Sequence, residues 1–277
     1  MSNPIINELI QNRIIPESIC HWSELKGGTH SKVGVIGTLN SPKMYVVKSN
    51  EPQRIAAETR FFQIYKEIPS LPSVRYVDPE YRYFVYDFIP GETNYNRTRK
   101  QELMSDLTKL MLQFYVQAES LDEYEWVEDP KRVTEDILYS ESIIGSHLDA
   151  ADHALVKDIH LRRQKRILRA DLYVLHGDFG VHNFLFEEGK LYGIIDPLPK
   201  LGRRLYDVLY AFCSSPDGLH LPILVNAAEQ LGNEPIQTHE LIEDMIMALY
   251  FRIATCLLHH PEDLTLYQTA WKEWKLY

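Results

Sequence analysis

The sequence predicts an α+β chain in two parts, a small antiparallel sheet followed by a larger, mainly helical region. Up to Pro90-Gly91, short apolar runs rich in Val, Tyr and Phe alternate with turn residues in the order strand, strand, helix, strand, strand. Beyond that break, apolar residues recur at helical spacing through most of the chain. The third observation is a polar loop, set between short apolar runs, that interrupts those helices over residues 172–195. The boundary falls near residue 90 and divides the chain into 1–90 and 91–277.

Taken in order, Ile5, Ile6, Leu9 and Ile10 give residues 4–19 the apolar face of a short amphipathic helix. Lys26-Gly27-Gly28-Thr29-His30-Ser31 is a turn-rich loop, and strands are predicted at 32–37 and 44–48 around the turn cluster Asn40-Ser41-Pro42. Residues 52–65 read as a helix with Ile55, Phe61, Phe62 and Tyr65 on its apolar side, and strands at 74–77 and 83–88 follow. Leu103, Leu107, Leu110, Met111 and Phe114 predict a helix over 98–121. Further helices are predicted at 133–144 and 151–168, the latter charged around Arg162-Arg163-Gln164-Lys165-Arg166. Short strands at 184–186 and 191–195 flank the turn Glu187-Glu188-Gly189-Lys190. Helices resume near Tyr206 and run through three or four segments to the last residue.

A chain of 277 residues can bury a sizeable core, and 45% hydrophobic with 25% charged residues is globular composition. The net charge of −10 argues against a nucleic-acid partner held by bulk electrostatics and tolerates a cationic substrate. Cys20, Cys213 and Cys256 are scattered without metal-ligand spacing and read as reduced thiols. The first residues lack a basic segment followed by an apolar run, and no apolar stretch approaches the roughly 18 residues of a membrane helix. The expectation is a cytoplasmic chain with no membrane partner.

The chemistry is concentrated in Leu175-His176-Gly177-Asp178-Phe179-Gly180-Val181-His182-Asn183-Phe184 and, after the hairpin, Ile194-Ile195-Asp196. Asp178 and Asn183 are five positions apart, and Asp196 follows Asp178 by eighteen. An acid, an amide and a second acid at these distances match the catalytic loop and metal-binding aspartate of a kinase-like phosphoryl transferase. Such a reaction needs one carboxylate to orient the attacking hydroxyl and oxygen ligands to hold magnesium against the triphosphate. Read singly, Asp178 is a surface turn acid; with Asn183 and Asp196 at this spacing the functional reading is favoured, whereas His176, either a second base or a histidine packed beneath the loop, is read as structural.

His176-Gly177-Asp178 with Asn183, then Ile195-Asp196, resembles the signature of the aminoglycoside phosphotransferase and choline-kinase-like family of small-molecule kinases. Protein kinases carry Arg between that His and Asp, and Phe-Gly after the metal acid; here Gly177 and Pro197 stand in those places. The run from Leu175 to Phe186 also looks close to that of hygromycin kinases. The resemblance implies a bilobal, protein-kinase-like fold, with a small antiparallel-sheet lobe and a larger helical lobe. It implies a nucleoside triphosphate donor, ATP or GTP, with Mg2+, and a small hydroxylated acceptor: an aminoglycoside, an amino alcohol such as choline, or a modified sugar. The alternative is a kinase-like module that binds nucleotide without turnover.

By the same resemblance Asp178 is the catalytic acid, and Asn183 and Asp196 are the metal ligands. Lys48 at the end of its strand pairs with the α- and β-phosphates, and Glu58 on the next helix holds Lys48. Thr29, His30 and Ser31 belong to the loop over the phosphates, while the Asp87 carbonyl and Ile89 N–H meet the purine in front of Tyr86. Asp207 fits the supporting acid that braces the catalytic loop. Arg203 and Arg204 replace an Asp-Pro pair common in the family, either as solvated side chains or facing an anionic substrate group. Acids of the C-terminal helices, among them Glu240, Glu243, Asp244, Glu262 and Asp263, are candidates for meeting substrate ammonium groups or are simply solvated.

Overall fold

β-Branched and aromatic residues at alternate positions suit a pleated, half-buried surface. The computed structural model, which describes residues 4–19, 21–25, 31–120, 124–167, 172–232 and 237–277, pairs them into one antiparallel sheet. Its strands are β1 (His21–Glu24), β2 (Lys32–Gly37), β3 (Tyr45–Ser49), β4 (Val74–Val77) and β5 (Tyr83–Asp87), in the order β1-β2-β3-β5-β4. β1 is a strand that the sequence reading missed. Its Trp22 indole lies across Gly34 of β2, where an added Cβ would sit 2.2 Å from the ring, so only glycine fits there.

The two faces of the sheet follow from strand alternation. Ile36, Val47, Tyr83 and Val85 point to one face and bury Ile6 and Leu9 of α1 (Pro4–Gln11) together with Ile15 and Ile19. The next residue along, Lys48, therefore points to the opposite face, toward α2 (Pro52–Ile64), whose Phe62 ring lies 6.1 Å from Phe84. Pro52 starts α2, where its fixed φ suits the first turn and its missing N–H costs nothing. The buried residues of α2 are Ile55, Glu58, Thr59, Phe61 and Phe62, so Glu58 lies on the inner face of the helix.

β7 (Phe184–Glu187) and β8 (Lys190–Ile194) form a hairpin whose tip, Glu188 and Gly189, has φ of 50° and 77°. Two left-handed residues in succession match the right-handed twist of the strands. Although late in sequence, this hairpin belongs with the first sheet. The chain divides into Met1–Thr93 with Phe184–Leu198, and Asn94–Asn183 with Pro199–Tyr277. Glu92 bridges to Phe186, and the Ile194 N–H donates to Ser70 O at 2.8 Å. Asp196 thus belongs to the unit of Lys48, and Asp178 and Asn183 to the other.

The second unit contains α3 (Lys100–Leu110), α4 (Pro130–Ile144), α5 (Ala150–Arg163), α6 (Arg204–Cys213), α7 (Leu221–Glu229), α8 (Thr238–His259) and α9 (Leu264–Trp274). The Asp129 side chain caps α4, and Asp149 with Asp152 makes a capping box for α5, satisfying N–H groups that have no partner within the helix. α8 packs against α4, α5, α6 and α9, and Trp271 and Trp274 of α9 are buried. The helix expected over 98–121 stops at Leu110. From Val116 the backbone instead pairs with β6 (Tyr173–Leu175), through Val174 N–H to Val116 O at 3.0 Å and Ala118 N–H to Leu172 O at 2.8 Å. Long-range pairing overrides the local helical pattern here. β6 also pairs with β9 (Lys200–Gly202), a three-residue strand too short to show a period. Cys213 and Cys256 are free and buried, and Cys20 lies outside the described residues. No helix among the described residues is long and apolar enough to cross a membrane.

Candidate active site

Lys48 is 3% exposed, which is sustainable for an ammonium only with carboxylates beside it. Its Nζ donates to Glu58 Oε1 at 2.6 Å and to Asp196 Oδ1. Burial lowers the affinity of Lys48 for its proton, but the charges of Glu58 and Asp196 reverse that, and its pKa is raised. Burial pushes the Glu58 carboxyl up, against the pull of Lys48. Asp196 differs from Glu58: its side chain is 47% exposed, and its φ of 59° is a left-handed conformation that Asp tolerates better than most residues. Two carboxylates share one ammonium, and Asp196 is the one of them that solvent reaches.

Elsewhere in the same unit, the Asp87 N–H donates to Ser73 O and the Phe88 N–H to Met44 O, at 3.0 and 2.9 Å. Tyr45 opposite Asp87 is thereby a non-hydrogen-bonded pair, so the ladder with β3 does not use the Asp87 carbonyl, and no described residue takes the Ile89 N–H. The Asp87 carboxylate is engaged by Arg75 through two bonds of 2.7 Å. Tyr86 is buried and stacks on Phe84 with ring centroids 5.3 Å apart. Ser31 Oγ accepts from Asn50 Nδ2 at 2.8 Å, while Thr29 and His30 lie outside the described residues.

In the second unit the loop after β6 is held from below by α6. Gly177 has φ of 79°, a conformation that a side chain would strain. Fully buried Asp207 accepts the His176 N–H at 2.9 Å, the Gly177 N–H at 3.2 Å and the Tyr115 hydroxyl, bracing the loop as the resemblance implies. Burial pushes its carboxyl up to about 7, against the pull of these donors. The His176 ring is buried edge-on to Phe179, with centroids 5.2 Å apart, as a packed histidine under the loop would be.

Asp178 receives donors on both oxygens. The Tyr210 hydroxyl meets Oδ1 at 2.5 Å; Asn183 Nδ2 meets Oδ2 at 3.1 Å and the Asp178 carbonyl at 2.9 Å. His182 Nε2 lies 3.3 Å from Oδ2. Burial alone would raise the Asp178 carboxyl, but His182, by hydrogen bond and charge, and Tyr210 hold it at about 2. Asp178 is therefore a carboxylate at every physiological pH. Because Asn183 Nδ2 faces two acceptor oxygens, its own Oδ1 is turned away from them, and no described residue donates to it.

These donors can be tested against a magnesium ion. Magnesium takes oxygen ligands, uses one or two side chains, and fills the rest with water and phosphate oxygens. The Asn183 oxygen and the half-exposed Asp196 carboxylate are ligands of that kind. Among the described residues no group of three or more His, Cys, Asp and Glu side chains assembles as a self-sufficient metal site.

Other sequence candidates have structural partners. Arg203 is not a free solvated side chain but is held by two acids: its guanidinium bonds Glu128 Oε1 at 2.7 Å and lies 3.0 Å from Asp244 Oδ2. Arg204 stacks over the Tyr173 ring at 4.9 Å. Asp244 is 1% exposed and also takes Arg163 Nε at 2.5 Å. Glu243 is paired with Arg162 and Arg166, and Asp263 with Arg97 through bonds of 2.7 and 2.8 Å. Tyr210 and His182 had not been assigned. Tyr210 lies one turn after Asp207 on α6, a spacing that places both on the face toward the loop.

A sequence model of the phosphotransferase enzyme family matches residues 21–218. The chain belongs to that family. It is by that membership a phosphotransferase. A comparison with curated proteins finds no match. Solved structures match along nearly the whole chain. A choline/ethanolamine kinase family protein from Mesorhizobium loti is 14% identical, with 98% of this chain and 94% of that one covered and a TM-score of 0.64. A GDP complex of an aminoglycoside 2'-phosphotransferase is 13% identical over 99% and 98% of the two chains, with a TM-score of 0.62. An aminoglycoside phosphotransferase in ternary complex with ADP and hygromycin B is 14% identical over 98% of both, also at 0.62. At such identities the likeness concerns the fold, which is α+β and protein-kinase-like.

Proposed function

We propose that this phosphotransferase moves the γ-phosphoryl group of ATP or GTP to the hydroxyl of a small molecule, with Asp178 orienting that hydroxyl. The observation that carries the reading is the Asp178 carboxylate itself: ionised, fixed on both oxygens, and set in a loop braced by Asp207. A carboxyl of pKa about 2 is a weak base, so its work is to align the hydroxyl and receive its proton late. That suits a loose transition state, in which positioning and electrostatics do most of the catalysis.

Lys48, held by Glu58, is the cation for the α- and β-phosphates, and the Asp87 carbonyl and Ile89 N–H are the purine contacts. Ser31, with Thr29 and His30, belongs to the loop over the phosphates. Asn183 and Asp196 are the ligands for magnesium, which when bound neutralises the phosphate oxygens. The C-terminal acids Glu243, Asp244 and Asp263 are neutralised in place by arginines, which supports an acceptor of low positive charge, such as an amino alcohol or a sugar, over a polycation. Buried free thiols fit a cytoplasmic setting.

The test is nucleotide consumption from Mg-ATP and Mg-GTP across a panel of aminoglycosides, amino alcohols and sugars, for the wild type and Asp178→Asn. At least one acceptor is expected to stimulate turnover, and Asp178→Asn is expected to lower it by about 10²- to 10⁴-fold. Full turnover in Asp178→Asn refutes the assignment. Nucleotide binding without turnover on any acceptor would favour a binding module instead.

A further inference from the structure

The loop from His176 to Asp178 is registered by a single helix. Asp207 of α6 takes the N–H groups of His176 and Gly177, and Tyr210, one turn later, takes the side chain of Asp178. The three donors to the Asp178 carboxylate are not equivalent. Asn183 and His182 both act on Oδ2, and the His182 side chain is 57% exposed, so its contact is open to solvent. Tyr210 alone among the described residues meets Oδ1. Its phenol cannot reverse roles, because burial first and the Asp178 charge second raise its pKa, which keeps the hydroxyl a donor.

The close approach of the Tyr210 ring depends on Gly180. An added Cβ there would lie 3.2 Å from Tyr210 Cε1 and 2.6 Å from His182 Cε1, so a side chain would press on both donors together. Tyr206, one turn earlier on α6, backs the ring with centroids 6.3 Å apart.

We propose that Tyr210 is a positioning residue for phosphoryl transfer: its hydroxyl anchors Asp178 Oδ1 and stops the carboxylate from turning away from the acceptor. The role rests on the reading of Asp178 as the acid that orients the acceptor hydroxyl. A carboxylate has about four lone-pair sites, so donors from the protein on both oxygens still leave room for the acceptor. The anchor fixes the plane in which that bond forms. A misaligned carboxylate reduces the rate without changing how nucleotide binds, since Tyr210 does not belong to the unit that carries Lys48 and the Asp87–Ile89 backbone.

The experiment compares Tyr210→Phe with wild type and Asp178→Asn in nucleotide turnover, using whichever panel acceptor stimulates it, or water where none does. Tyr210→Phe is expected to lower kcat by about ten- to a hundredfold, the worth of a hydrogen bond to a charged group, with the nucleotide KM within about twofold. A folded Tyr210→Phe with unchanged kcat, or one in which only KM moves, overturns the proposal. Proton NMR of the wild type gives a readout that does not depend on that variant folding. Two strongly hydrogen-bonded tyrosine hydroxyl protons are expected downfield, from Tyr115 on Asp207 and from Tyr210 on Asp178. Asp178→Asn should move one upfield and leave the other. If both stay in place, Tyr210 does not hold Asp178 and the inference fails. If Asp178→Asn is fully active while one proton moves, the bond stands but the transfer reading, and the role built on it, fall.

Discussion

Asp244→Asn removes one charge from a buried ionic cluster, and its cost can be worked from the contacts. Asp244 Oδ1 accepts from Arg163 Nε at 2.5 Å and Arg166 Nη2 at 3.3 Å, and Oδ2 lies 3.0 Å from Arg203 Nη2. Without the charge, Arg203 keeps Glu128 and Arg166 keeps Glu243. Arg163 keeps only one contact, Nη2 to Glu128 Oε1 at 3.3 Å, with its side chain 9% exposed. One guanidinium is thus stranded in the interior, and breaking a buried pair in this way costs about 3–5 kcal/mol. The lower end applies, about 3 kcal/mol, because Glu128 remains. At roughly 2–4 °C per kcal/mol for domains of this size, the melting point should fall by about 6–12 °C.

Tryptophan fluorescence in urea is a suitable assay, since Trp126, Trp271 and Trp274 belong to the affected unit and only Trp22 to the other. Asp87→Asn, which breaks the exposed pair with Arg75, should cost no more than about 1 kcal/mol and serves as the control. Adding Arg163→Met to Asp244→Asn should recover most of the loss, because the stranded charge is then gone. The pH dependence has a fixed sign. Burial opposes ionisation of Asp244, but Arg203, Arg163 and Arg166 depress its pKa below the ordinary 3.8. Its contribution is full above that value and is lost as pH falls through the depressed pKa, so the gap between wild type and Asp244→Asn should narrow only in that acid range. A loss under about 1 kcal/mol, or no recovery in the double variant, would refute the reasoning.

Asp207→Ala removes the carboxylate that accepts from the His176 and Gly177 N–H groups and the Tyr115 hydroxyl, while the His176 N–H still faces Tyr115 Oη at 3.3 Å. At about 1–3 kcal/mol for a buried donor that loses its charged acceptor, a loss of about 3 kcal/mol is expected in urea unfolding, together with reduced kcat; a stable, active variant would remove Asp207 as the brace. Lys48→Met should raise the nucleotide KM by about ten- to a hundredfold, as a lost charge-assisted contact does, and Glu58→Gln should act in the same direction but less; steady-state kinetics on Mg-ATP that show neither effect would exclude the phosphate role of Lys48.

Much of this was legible because local patterns and the fold agree. The strands at 32–37 and 74–77 fall where period-2 apolar runs place them, and α2 begins at its proline. Lys48 and Glu58 could be ordered from sequence, but their contact depends on which face Lys48 takes, and that is set by Val47 joining the α1 side. β1 and β9 escaped because three or four residues carry no period, and the helix over 98–121 was overextended because Val116 and Ala118 find partners in β6. Arg203 was misread for a general reason. A charged pair beside a functional acid looks available until the acids that claim it, Glu128 and Asp244, are brought in from 75 and 41 positions away.

The carboxylates of this chain show why residue type alone could not sort them. Asp244 and Asp178 both have depressed pKa values, but for different reasons and with different consequences. Asp244 owes its charge to arginines set against both of its oxygens in a buried cluster, and at 1% exposure it is out of a substrate's reach. Asp178 is a third exposed, and its partners are a phenol, an amide and a solvent-facing imidazole, which fix its direction and leave it open to solvent. Asp207 is the converse case: buried among N–H donors and a hydroxyl, pushed up to about 7, it anchors backbone instead of meeting solvent. Glu58 is buried against Lys48, whereas Asp196, on the same ammonium, is half exposed. Of these five carboxylates only Asp178 and Asp196 are reached by solvent, and that is a condition for meeting a hydroxyl and a metal-bound phosphate.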